Sequence, residues 1–196
     1  MEKLLFINAC MRGSNLSRTY RLCRVFLDEY VANHPGVKLE EVNLTQEILP
    51  YFDNEAVIRR ENLINDGNTD HEMFRLARQF ALANKIVIGA PYWDLSFPAA
   101  LKVYVEHISV RDITFCFTPT GIGGLCLAKK LMYITTGGGI IMRADCGSEY
   151  FKNLCVMYGI EQFAAIRVEG LEIQGNDAEA IMLAAEKEAA ASAKLF

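Results

Sequence analysis

Three short stretches hold the residues whose types could do chemistry together. The first, Cys10-Met11-Arg12-Gly13-Ser14-Asn15-Leu16-Ser17-Arg18, offers the donors of Ser14, Asn15 and Ser17, two arginines, and a helix that begins just beyond. Hydroxyls, amides and a helix N-terminus suit a phosphate dianion. The stretch lacks both GxxxxGK[ST] and GxGxxG, which disfavours a nucleoside triphosphate or a Rossmann-bound dinucleotide. The second stretch, Pro91-Tyr92-Trp93-Asp94-Leu95, sets two aromatics after an apolar run. They suit a flat ring system, or they plug a gap between a helix and a sheet. The third, Thr136-Gly137-Gly138-Gly139, removes β-carbons over three residues, so a planar ligand can approach the backbone closely; a tight turn would use the same glycines.

Each stretch follows a strand candidate. Leu4 to Ala9 precedes the first, Ile86 to Ala90 the second and Lys130 to Thr135 the third, all short and apolar as strands buried on both faces are. Helical spacing runs from Leu16 through Val31 with Asn15 or Ser14 as N-cap, and His34-Pro35-Gly36 ends it. Val37 to Leu44 reads as a strand, and Thr45 to Thr69 as a long, irregular connection, with a short helical patch after Asn54, that works as a lid, an interface or a mobile segment. Helices are expected over Asp70 to Ala83 and over Ala99 to Ile108, the latter capped by Ser96 or Phe97. Ile113 to Leu125 resembles a hairpin. Ser148 to Tyr158 is helical, Phe163 to Gly170 is the last strand, and Asp177 to Leu195 is an alanine-rich helix with an acidic start.

Five strands alternating with helices predict one α/β domain over residues 1–196, a doubly wound parallel sheet of order 2-1-3-4-5 with helices on both faces. In that order the loops after strands one, three and four meet at the switch point, where open α/β sheets bind ligands. A helix start suited to phosphate, an aromatic loop and a glycine loop then share one edge. Their coincidence points to a phosphorylated flat ligand.

The whole-chain properties exclude other classes. With 196 residues, 52% hydrophobic and 22% charged, the chain can bury a sizeable core. A formal net charge of −4 with scattered lysines and arginines leaves no basic surface for nucleic acid or anionic membrane. The apolar stretch near the N-terminus is too short for a signal sequence, and no run is long enough to span a bilayer, so the protein is expected in the cytoplasm. The six cysteines form no CxxC pair and the three histidines lie far apart, so neither a disulfide framework nor a metal site is expected. Cys10 has no histidine placed beside it by motif, and His107 reads as a packing residue of its helix; no catalytic acid, base or nucleophile is assigned.

The pattern resembles the FMN-dependent NAD(P)H azoreductase and quinone reductase family of flavodoxin-like fold, formerly described as acyl carrier protein phosphodiesterases. The residues that carry the resemblance are Asn15 to Arg18, Ala90 to Lys102, Phe115 to Lys130 with Gly124-Leu125 and Lys129-Lys130, and Thr135 to Gly139. It extends through Tyr150-Phe151-Lys152-Asn153, Tyr158-Gly159-Ile160 and Glu169-Gly170 and covers nearly the whole chain. It implies an FMN whose phosphate and ribityl chain lie on Cys10, Asn15, Leu16 and Ser17. Pro91, Tyr92, Trp93, Asp94 and Leu95 would border the isoalloxazine, and Thr136, Gly137, Gly138 and Gly139 would cradle its other edge. Tyr92-Trp93-Asp94-Leu95 replaces the family's usual Met-Tyr-Asn-Phe, and Gly137 stands where an arginine is common.

The resemblance further implies hydride transfer from NADH or NADPH through the flavin to a small-molecule acceptor such as a quinone or azo compound. It also implies a homodimer, with Thr45 to Thr69 and Ile113 to Leu125 as the segments that shape the pocket or meet the partner. Two other readings remain open: an FMN electron carrier without direct nicotinamide oxidation, and a binding protein that has lost its flavin.

Overall fold

A computed structural model describes residues 1–141 and 145–196. Strands β1 (Lys3–Asn8), β2 (Lys38–Asn43), β3 (Lys85–Gly89), β6 (Lys130–Thr136) and β7 (Gln162–Val168) form one parallel sheet in the order β2-β1-β3-β6-β7. Between β3 and β6, β4 (Phe115–Thr118) and β5 (Gly121–Gly124) make a separate antiparallel hairpin. Counting the strands of the large sheet alone, the order is the expected 2-1-3-4-5.

Alternate residues of each central strand feed two cores, because helices cover both faces. Leu5, Ile7, Ile86, Ile88, Leu131 and Tyr133 pack under α3 (Arg75–Ala81), α4 (Ala99–Ile108) and α5 (Cys146–Tyr158). On the other face Leu4, Phe6, Val87, Met132 and Ile134 pack under α1 (Arg18–Asn33) and α6 (Ala178–Leu195). The chain leaves β1 into α1 and β2, then returns across β1 to β3. That reversal opens a crevice at the carboxyl ends of the strands.

Several element boundaries differ from the sequence expectation. The N-cap of α1 is Ser17, whose side chain accepts from the Tyr20 N–H, and neither Asn15 nor Ser14 caps it. Gly13, at φ 75°, turns the loop, and the Ser17 N–H bonds back to the Gly13 carbonyl (3.2 Å), so the helix starts later. The segment 45–69 contains α2 (Asn54–Asn65), capped by Asp53. It is pinned down: the Arg60 guanidinium donates to the Ser109 carbonyl, and His107 Nε2 lies 2.9 Å from the Pro50 carbonyl oxygen. Of the expected helix over 70–83, only Arg75–Ala81 is α-helical, after a 3-10 turn at Glu72–Phe74. Helix α4 follows Pro98 with no side-chain cap, because Ser96 pairs with Trp93 instead.

The hairpin is docked by a glycine contact. A β-carbon on Gly124 would fall 2.0 Å from the Gly159 nitrogen, at the left-handed C-cap of α5. Backbone cannot yield as a side chain can. Gly124→Ala is therefore expected to destabilise the protein by about 2 kcal/mol, as overpacking does, and an unchanged denaturation midpoint would contradict this docking.

Candidate functional site at the switch point

The strand ends are tied into one rim by backbone hydrogen bonds. The Ala9 N–H donates to the Gly89 carbonyl (2.8 Å), Tyr92 N–H to Thr136 (3.0 Å) and Gly137 N–H to Val168 (2.7 Å). Below them the buried hydroxyls of Thr19 and Thr136 meet at 2.7 Å, joining the first turn of α1 to the end of β6. The loops are thus positioned by the sheet ladder continued past its strands.

The first wall of the cleft is the start of α1. The Arg18 and Thr19 N–H groups lie in the first helical turn, where no carbonyl four residues back can accept them, while Ser17 Oγ takes the Tyr20 N–H (3.1 Å). Arg12 lines the same cleft and has no hydrogen-bond or ion-pair partner among the described residues. Free helix-start amides beside an uncommitted cation favour an anion.

The aromatic wall is held by a two-residue turn. Trp93 and Ser96 exchange both backbone hydrogen bonds (3.2 and 2.8 Å) around Asp94 and Leu95, whose φ values are 50° and 66°. Two left-handed residues in succession are the signature of a type I′ turn, which ordinarily uses Asn-Gly. A leucine there is strained by about 1 kcal/mol, and such strain collects at functional loops. The turn leaves Trp93 43% exposed, and the buried Tyr92 hydroxyl has no hydrogen-bond partner among the described residues.

The glycine wall rests on the segment after β7. Gly170 N–H donates to the Gly139 carbonyl (2.9 Å), Leu171 to Gly137 (3.3 Å) and Glu172 to Gly138 (2.8 Å). A β-carbon on Gly138 would come within 2.8 Å of Glu172 Oε2, and one on Gly137 within 3.3 Å of Ile141 and 3.5 Å of Tyr92. Gly138 leaves the space that the Glu172 side chain fills.

Leu16, Ser17, Pro91, Tyr92, Trp93, Thr136, Gly137 and Gly138 come together around this cleft. The other expected residues lie at its margins. Cys10 is buried with its thiol 3.7 Å from the Gly89 carbonyl oxygen, Asn15 lines an adjoining crevice with Ser14, Arg21 and Arg24, and Asp94 and Leu95 form the turn's tip. Gly139 bonds to Gly170 at the rim. Arg12 and Arg18, the arginines of the first stretch, also line the cleft, as do Met11, Thr19, Leu171 and Glu172, which were not among the expected residues. The strand order held the signal for the last two, since the fifth strand lies beside the fourth and its following loop must reach the glycines. Elsewhere in the core, burial pushes the thiols of Cys126 and Cys155 up to about 12, so both stay protonated at neutral pH.

A cleft with uncommitted cationic and amide donors at one end, aromatic side chains along it and a glycine edge fits a ring-bearing phosphate ester. On this sheet order, it defines a flavodoxin-like protein. A family model described as flavodoxin-like fold matches residues 2–193. The chain is 34% identical, over 201 aligned positions and 100% of both chains, to an FMN-dependent NADH:quinone oxidoreductase of Clostridium acetobutylicum. Among solved structures, an azoreductase from Bacillus anthracis superposes with a TM-score of 0.87 at 27% identity over 100% of both chains. An FMN-dependent NADH-azoreductase of the same species, in complex with FMN, superposes at 0.85 and 25% identity, covering 100% of this chain and 99% of that one. The chain belongs to the family of flavodoxin-like FMN-dependent NADH:quinone oxidoreductases and azoreductases.

Ser17 carries a prediction that does not depend on a ligand. Ser17→Ala is expected to lower stability by about 1 kcal/mol through loss of the cap, and Ser17→Asp to restore it. Urea denaturation of the three proteins checks this; equal midpoints would show that the cap contributes nothing.

Proposed function

We propose that the protein is an FMN-dependent NAD(P)H oxidoreductase that makes two-electron reductions of quinones, azo compounds or similar small acceptors. The observation that carries this reading is the convergence of the α1 start with Arg12, the Tyr92 and Trp93 side chains and the Gly137-Gly138 edge on one cleft. FMN held there would supply the two-electron redox chemistry between a nicotinamide and the acceptor. The chain's own part is to bind and orient. Ser17, the amides of Arg18 and Thr19, and Arg12 hold the phosphate, with Asn15 and Leu16 flanking it and Cys10 supporting the loop from the core. Tyr92 and Trp93, on the strained turn of Asp94 and Leu95, border the ring. Thr136 to Gly139 leave its opposite edge open to backbone donors.

The proposed assembly is a homodimer. Ile48 and Tyr51 before α2, and Phe117 and Ile122 on the hairpin, are large apolar side chains left 93%, 76%, 68% and 53% exposed. Such side chains on two excursions from the fold suit a partner surface. The proposed location is the cytoplasm, whose reducing environment suits the buried thiols of Cys10, Cys23, Cys126 and Cys155. No helix among the described residues is long and apolar enough to cross a membrane.

Incubation with FMN followed by desalting is expected to leave a yellow protein that NADH or NADPH bleaches anaerobically and a quinone re-oxidises. Retained colour that no nicotinamide bleaches would instead make the protein an electron carrier. Ser17→Asp, which keeps the cap but sets a carboxylate against the phosphate, is expected to lose the colour on desalting while remaining folded. For the assembly, Tyr51→Ala is expected to weaken dimerisation by about tenfold in sedimentation velocity. A monomeric wild-type protein would sink that part of the reading.

A further inference from the structure

Arg18 is the first residue of α1, yet its side chain reaches the opposite wall of the cleft. Its Nη1 donates to the Leu171 carbonyl (3.4 Å) and stands 3.6 Å from Glu172 Oε1. Glu172 is fixed there by its own backbone bond to Gly138, with its carboxylate filling the space where a Gly138 β-carbon would go. Both side chains line the cleft with Ser17 and Thr19. A carboxylate therefore sits in the same cleft as the helix start that favours an anion, and Arg18 is its cationic partner.

We infer that Glu172 limits the selectivity of this cleft for the phosphorylated flavin over the unphosphorylated one, by competing with the phosphate for Arg18. The inference rests on the proposed reading that the cleft holds FMN. The contact between Arg18 and Glu172 is longer than a hydrogen bond, and the two side chains are 42% and 62% exposed. Such a pair is weak. A phosphate dianion offers the guanidinium a stronger, geometrically matched acceptor. Riboflavin carries the same ring without that charge, so it leaves the pair as it is. Glu172 accordingly opposes the loading of FMN and is indifferent to riboflavin, whereas Arg18 favours FMN alone. A pair that merely braced the glycine loop would behave differently, because breaking it from either side would weaken both flavins alike.

The test titrates FMN and riboflavin into the flavin-free full-length protein, following quenching of flavin fluorescence, for wild type, Glu172→Gln, Arg18→Gln and the double variant. Glu172→Gln is expected to tighten FMN by about threefold and Arg18→Gln to weaken it by about tenfold, with riboflavin unchanged in both. In the double variant the Glu172→Gln gain is expected to shrink, because its competitor is gone, and all FMN effects should fall at about 0.5 M salt. FMN affinity that is unchanged or weakened in Glu172→Gln, or riboflavin affinity that moves in parallel, would overturn the inference while leaving the flavin site standing. A folded wild-type protein that binds neither flavin would overturn the reading beneath it. Glu172 is exposed, so its glutamine variant decides the matter even if the Arg18 variant does not fold.

Discussion

A parallel sheet has to be covered on both faces, and this requirement shapes the rest of the molecule. Strands such as β3, KIVIG, carry apolar side chains on alternate sides with no polar face to present to water. Helices α1 and α6 must therefore pack on one side and α3, α4 and α5 on the other. A single chain can do this only by reversing its winding once, and the reversal falls between β1 and β3. The crevice is a by-product of covering the sheet. Every residue of the proposed site stands on an element that this requirement has already placed.

Within the crevice, the decisive contacts are between backbones. The rim bonds from Tyr92 to Thr136 and from Gly137 to Val168 extend the strand ladder, and the segment Gly170 to Glu172 adds three more bonds beneath the glycines. The Glu172 side chain, brought in by that segment, occupies the space a β-carbon at Gly138 would need. The aromatic wall uses a different device, a tight turn whose two central residues occupy the left-handed region without glycine. Close packing on one wall and strain on the other hold an opening whose shape owes little to side-chain freedom.

Charge in the crevice is arranged unevenly. Arg12 has no partner among the described residues, Arg18 is loosely committed to Glu172, and Arg21 nearby is fully engaged by Glu179 and Glu186. Only the first two are free to answer an incoming anion. This gradation separates a cation that binds from one that holds the fold together, although all three are arginines within ten residues of one another along the chain.

Local pattern in the sequence determined the existence and order of the strands, the fold class, and the three loops that converge, because short apolar runs and turn residues act within a few positions. It also supported the family, through residues spread over nearly the whole chain. Tertiary structure decided which residues at those loops face the cleft. Cys10 is drawn into the core against Gly89, and Asn15 is turned to an adjoining crevice because Ser17, not Asn15, caps α1. It also brought in Leu171 and Glu172, which are far from the other loops in sequence and carry no motif. The direction of a side chain at a loop depends on where the helix begins and on what packs against it from a distant strand, and local spacing encodes neither.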